Sequence, residues 1–104
     1  MKESLPTLVS IGYHTPRGAW HIRSHVHDLH EMVLLTSGHE EVAIQGRRVR
    51  AGAGDVLLFQ PGVAHEEWSQ TADPLMSYFL AFKGDFRTAD WPLVSADPYG
   101  RLRL

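Results

Sequence analysis

Residues 23–31 read Arg23-Ser24-His25-Val26-His27-Asp28-Leu29-His30-Glu31, which places three of the seven histidines of a 104-residue chain beside a carboxylate. Side chains alternate faces along a strand, so His25, His27 and Glu31 share one face if the strand runs through Asp28-Leu29, and His30 falls on the other. Same-face neighbours lie about 6.5 to 7 Å apart, close enough for two imidazoles to converge on one ion at nitrogen distances near ~2.1 Å. Further ligands are then needed. Glu31 offers an oxygen, and His65, which follows the Pro61-Gly62 turn, is brought back to the same interior point if the chain closes into a barrel. An oxygen and nitrogen set made of His25, His27, Glu31 and His65 suits divalent Zn, Ni, Fe, Mn or Cu, and spacing does not choose among them. The plainer reading makes these residues polar groups on a half-buried strand, bonded to one another or to water.

Outward from this stretch the chain is a succession of short β-rich runs. Residues 7–13, 19–27, 30–37, 40–45, 47–51, 55–60, 64–69 and 75–82 suit strands of ordinary length, separated by Gly, Pro and Asp. Gln45-Gly46-Arg47 makes a tight hairpin, Ala51-Gly52-Ala53-Gly54-Asp55 supplies positions for positive φ, and Pro61-Gly62 sets a further turn. No window holds an apolar helical period between clean caps. Short strands at this spacing predict an all-β sandwich or barrel, here one domain over 1–104 with an arm at 1–10, a barrel at 11–84 and a tail at 85–104.

Composition narrows the class. A hydrophobic content of 43% and a charged content of 21% match folded soluble domains. Cysteine is absent, which excludes disulfides and thiolate metal sites and is compatible with a reducing cytosol. The N-terminal residues lack a long apolar region, and no run approaches the roughly 18 apolar residues of a membrane span, so a cytoplasmic protein is expected, with no membrane partner. A net charge of -2 gives no footprint for nucleic acid, and no direct nucleic-acid contact is expected. Arg47, Arg48 and Arg50, the one basic cluster, read as a solvated hairpin tip.

These residues resemble the cupin superfamily of small jelly-roll β-barrels, also described as double-stranded β-helices. The first cupin motif is matched by Gly18, His25-Val26-His27, Glu31 and Gly38, with a Gly18–His25 gap one residue longer than usual. The second is matched by Gly54, Pro61-Gly62 and His65, with Gln60 in the place of its first proline and Ser69 where Asn is usual. In metal-binding cupins the ligands are the residues matching His25, His27, Glu31 and His65, so the resemblance implies the site that spacing allows. The stretch "HVHDLHEMVLLTSGHEEVAIQGRRVRAGAGDVLLFQPGVAHEEW", followed by "YFLAFKGDF", is similar to the N-terminal sensing domain of AraC-type transcriptional regulators. That similarity implies a small-molecule cavity. It also implies that the tail "DWPLVSADPYGRLRL" leads toward dimerising helices and a DNA-binding domain further on.

Two functions compete. The first is a binding module whose barrel takes a small organic effector, with Val33, Leu35 and Trp68 as candidate ligand contacts together with His21 and Tyr78; Val56 and Leu58 are expected to line the interior as well. The second is a small metal-dependent cupin enzyme of the dioxygenase or isomerase class. No catalytic residue has a motif behind it, and Tyr78, His21 and Glu66 are acid–base candidates by type alone. His14, His30 and His39 lie in or beside turns and are expected at the surface. Both parities of 75–82 are apolar, which predicts a strand covered on both faces and favours a homodimer.

Overall fold

The computed structural model describes residues 6–69 and 74–84 and the backbone of 93–94. All regular structure among them is strand: β1 (Thr7–His14), β2 (Trp20–His25), β3 (His30–Ser37), β4 (His39–Ile44), β5 (Arg47–Gly52), β6 (Val56–Phe59), β7 (His65–Ser69), β8 (Met76–Lys83) and β9 (Leu93–Val94). One sheet has the order β1-β8-β3-β6-β9 and the other β2-β7-β4-β5, with every pairing antiparallel. Consecutive strands mostly fall in opposite sheets, so the chain wraps around one interior. This is the all-β jelly-roll barrel that the turn spacing and the paired motifs predict. None of the described residues forms a helix long and apolar enough to cross a membrane.

Both inner faces contribute to the core. Val33, Leu35, Leu57 and Phe59 come from the first sheet and Val42, Ile44 and Ala51 from the second, with Leu75 closing one end. Strict alternation in β4, where Glu40, Val42 and Ile44 are buried and Glu41 and Ala43 are half-buried, marks a sheet with one face inward. β6 is buried at all four positions, and its apolar run Val56-Leu57-Leu58-Phe59 suits a strand covered on both faces. Leu57 and Phe59 point into the core, whereas Val56 and Leu58 pair with Leu34 and Met32 on the opposite face. They do not line the interior, because parity within a strand puts neighbours on opposite sides.

Two turns rest on special backbone. Gln45 and Gly46, at φ 49° and 74°, form the two-residue connection between β4 and β5, a geometry with positive φ at both central positions whose twist matches the strands. Gly38, at φ 76°, lies where a Cβ would meet the backbone of Pro74 and Leu75 at 2.6 and 2.8 Å. A side chain is excluded there twice, by torsion and by space.

β1 begins at Thr7, which pairs with Lys83, so the strand expected at 7–13 is present and takes up residues 7–10 of the expected arm. Three features depart from the sequence reading. β2 stops at His25 instead of running through His27. A β-bulge falls between Ile22 and His25 opposite Glu67 and His65, giving β2 one extra residue against β7. The longer Gly18–His25 spacing is thereby absorbed, and the facing of every residue before the bulge is reversed relative to His25. β9 pairs with β6 inside the segment read as a tail; the rest of 85–104 lies outside the described residues.

Candidate metal centre and adjoining cavity

Two strand ends and a loop bring the histidines together. His25 closes β2 and sits opposite His65 at the start of β7, while His27 follows in the β2–β3 loop. Gly62 donates its N–H to the His27 carbonyl at 2.9 Å, so the Pro61-Gly62 turn ties that loop to the His65 strand. The imidazole centroids stand 4.3 Å apart for His25–His65, 5.0 Å for His27–His65 and 5.7 Å for His25–His27. Phe59 stacks on the His65 ring at 4.1 Å and fixes its plane. The convergence arises from a strand end and a loop, not from a continuous strand through Asp28-Leu29.

All three rings are held in the same way. His25, His27 and His65 donate their Nδ1–H to the carbonyls of Arg23, Leu29 and Val63 at 3.0, 2.8 and 3.2 Å. The backbone thus selects the tautomer that leaves each Nε2 with a free lone pair, the pattern of outer partners that orients metal-ligating histidines. Nε2 of His27 and of His65 is sealed from solvent with no hydrogen-bond partner among the described residues. One ligand atom from each histidine lies within 4.8 Å of the others, and so does a second set made by His65, Glu31 and Glu67. A tetrahedral ion with bonds of about 2.1 Å asks for donor separations of about 3.4 Å, within reach of small side-chain rotations. Orphaned lone pairs and a fixed tautomer fit a divalent cation better than a neutral core.

Electrostatics point the same way. Burial raises the Glu31 carboxyl above the usual range, with further upward pressure from Glu67 and partial relief from His27 and His25. Burial lowers His65, outweighing the opposite pull of the Val63 carbonyl and Glu67. Glu31 Oε1 stands 3.9 Å from His27 Nε2, and Glu67 Oε2 stands 3.7 Å from His65 Nε2. Glu67, one rung along β7, was not foreseen. The alternation His65-Glu66-Glu67 signals that it shares the inward face of His65, but a run of two glutamates reads as solvated strand until the face is known.

Beyond Glu31 and Glu67 the interior opens into a cavity of about 250 Å³. Trp20, Ile22, Val33 and Phe79 supply its apolar walls, and His14 reaches it beside Trp20 at a ring distance of 4.8 Å. Its polar groups are Glu31, Glu40, Glu67 and Ser77. Glu40, 2% exposed, is pushed up to about 10 by burial first, then by a hydrogen bond with Glu67 and by the charges of Glu67 and Glu31.

Of the five expected ligand contacts, Val33 alone lines this cavity. Leu35 is fully buried in core packing. The bulge turns His21 outward, where its Nε2 meets Glu66 at 2.6 Å in a surface depression shared with Trp68, whose ring carries the Arg48 guanidinium at 4.3 Å. Tyr78 stands on the outer face of β8 against Tyr13, at a ring distance of 4.5 Å. His30 is buried, stacked on Phe82 and facing the Gly84 carbonyl, and His14 and His39 are half-buried rather than at the surface. Turn proximity misleads for His30 because its strand lies between β6 and β8.

No curated protein matches the sequence. Among solved structures, the chain is similar to the protein YhaK from Escherichia coli, at TM-score 0.70 and 19% identity over 86% of this chain and 42% of that one. A Cupin 2 conserved barrel domain protein from Salinispora arenicola gives TM-score 0.64 and 18% identity over 75% and 74%. Bacillus subtilis oxalate decarboxylase, described for its Mn(II) centres, gives TM-score 0.57 and 22% identity over 72% of this chain and 21% of that one. The chain thus spans less than half of YhaK and about a fifth of the decarboxylase, and at these identities the likeness is one of fold. The family model for the AraC-like ligand binding domain matches residues 8–103. With that match over a cupin barrel, the chain belongs to the family of AraC-like ligand-binding domains.

Proposed function

We propose that this domain is the small-molecule sensor of an AraC-type transcriptional regulator and that it works in the cytoplasm, without contacting nucleic acid or membrane itself. The observation that carries the reading is an interior cavity of about 250 Å³, walled by Trp20 and Phe79 and furnished with buried polar groups, inside a barrel matched across residues 8–103 by a ligand-binding family. Concave, largely apolar sites with a few convergent polar groups are where small ligands bind. In this reading His25, His27, Glu31 and His65 hold a divalent ion at the cavity floor. The ion would offset the charge of Glu31 and tie the histidine-bearing segments together beneath the cavity.

The homodimer belongs to the same proposal. β1 is an edge strand, and Leu8, Ile11, Tyr13 and Tyr78 are exposed on the outer face it shares with β8, an apolar surface that a second copy would cover.

A second reading, a metal-dependent cupin enzyme, is favoured by one observation, the gathering of one ring nitrogen each from His25, His27 and His65 within 4.8 Å of the others, with each Nδ1 bonded to a backbone carbonyl. Elemental analysis of protein purified without chelators or a histidine tag, combined with a thermal-shift panel of sugars, carboxylates and amines, separates the two. The sensor raises its Tm with a compound of the panel and turns none over. Metal-dependent dioxygen consumption or isomerisation, with no stabilising compound, overturns the sensor in favour of the enzyme.

A further inference from the structure

Carboxyl groups dominate the polar lining of the cavity, beside His14 and Ser77. Glu31, Glu40 and Glu67 enter it from three different strands, and no Lys or Arg is among the described residues that line it. Glu31 faces the histidines, which leaves Glu40 and Glu67 as the pair on the second sheet, on the neighbouring strands β4 and β7. Glu40 is 2% exposed, and its Oε2 is sealed from solvent and finds no fixed donor among the described residues. A buried acceptor without a donor is costly, on the order of 1–3 kcal/mol or more, and a ligand that brings the donor recovers that cost. The rings of Trp20, on the same sheet, and Phe79, on the facing sheet, line the same space, surfaces that attract a cation through their quadrupoles while packing against carbon.

Ligand classes can be sorted by what they bring. An anion meets three carboxyl groups, with His14 as the basic side chain on the wall and no Lys or Arg among the described lining residues. A polyol brings as many acceptors as donors, and Ser77, His14 and the Trp20 indole are too few to serve those acceptors. An ammonium brings donors and positive charge alone. We infer that the cavity takes a compact organic cation, its ammonium held between Glu40 and Glu67 and its alkyl part against Trp20 and Phe79. At about 250 Å³ the space lies below the roughly 300–1,000 Å³ of drug-sized pockets, which favours a short amine over a large one. The inference rests on the sensing reading and adds to it the class of the effector.

The test is calorimetric titration and thermal shift of the chelator-treated chain with n-butylammonium, 1-butanol and butyrate, three probes of one shape and different charge. Butylammonium is expected to bind and raise Tm while the other two do not. Glu40→Leu, which removes the acceptor, weakens the amine tenfold or more, and Glu41→Gln, at a half-buried residue paired with Arg48 on the outer face of β4, leaves it unchanged. Equal binding of butanol or butyrate, no binding of the amine, or full amine affinity in Glu40→Leu overturns the cation assignment. Binding of a sugar or carboxylate in the cavity sinks that assignment and leaves the sensor standing. Turnover without any stabilising compound sinks the sensor itself.

Discussion

Replacing Glu40 by Gln is expected to stabilise the ligand-free protein, increasingly so as the pH rises. The Glu40 carboxyl is buried beside Glu67 and Glu31, and its folded value is pushed up from 4.5 to about 10. A raised folded value means that the folded state keeps a proton the unfolded chain releases. The associated stability is fully present below the unfolded value and drains away as pH climbs toward the folded one. The loss runs at about 1.4 kcal/mol per pH unit, so between pH 4.5 and 7 it reaches about 3 kcal/mol. Glutamine keeps the shape and an N–H donor for Glu67 but has no proton to lose. Glu31, also raised, and His65, lowered by burial with the opposite pH trend, contribute equally to both proteins and cancel in the difference. The assay is urea unfolding followed by tryptophan fluorescence in chelator, from pH 4.5 to 8. Native protein and Glu40→Gln should coincide near the acid end and separate by about 3 kcal/mol at pH 7, a Tm gap of more than about 10 °C in a domain of this size. Parallel curves across that range would refute the argument, because they would mean that Glu40 ionises in the fold as readily as in the open chain.

The double variant His25→Ala/His27→Ala should lose bound divalent metal while keeping a native far-UV spectrum, since both side chains are half-buried at the rim; elemental analysis beside circular dichroism checks it. Metal affinity of the native protein should rise with pH, because the ligands must be deprotonated and Glu31 holds its proton above the ordinary range, and calorimetry in buffers of different ionisation heat would count the protons released. Phe59→Ala should cost about 3–5 kcal/mol through the cavity it leaves, and it should also weaken metal binding by freeing the His65 ring. Gly38→Ala forces a Cβ against the Pro74 and Leu75 backbone at positive φ, so a loss above about 1–2 kcal/mol is expected in the same urea titration. Ile11→Asp and Tyr78→Asp should shift sedimentation toward monomer without lowering Tm, and an unchanged dimer would remove the β1–β8 face from the interface.

Much of this protein is written locally. The eight expected strands are all present, because runs such as Val56-Leu57-Leu58-Phe59 and the alternation of β4 carry their burial in their own pattern, and Gln45-Gly46 carries its turn. The residue types at 25, 27, 31 and 65 sufficed to nominate a ligand set, since imidazole and carboxylate lone pairs are properties of the side chain. Facing was not legible. Parity counted along the chain put His21 with His25 and ran the strand through His27, but one extra residue at the bulge reversed the count, and a bulge is set by what β7 offers across the ladder.

The same limit governs the cavity. Glu40 and Glu67 look like solvated charges in their own neighbourhoods, Glu40-Glu41 and Glu66-Glu67, and only the closing of β4 and β7 against the first sheet buries one carboxylate of each pair. Sequence by itself determined the strands, the turns and the chemistry available at the histidines, because those follow from neighbours along the chain. The tertiary structure alone decided which carboxyl groups lose water and which aromatic rings share their cavity, because desolvation depends on what packs around a group, and the packing partners come from distant parts of the chain.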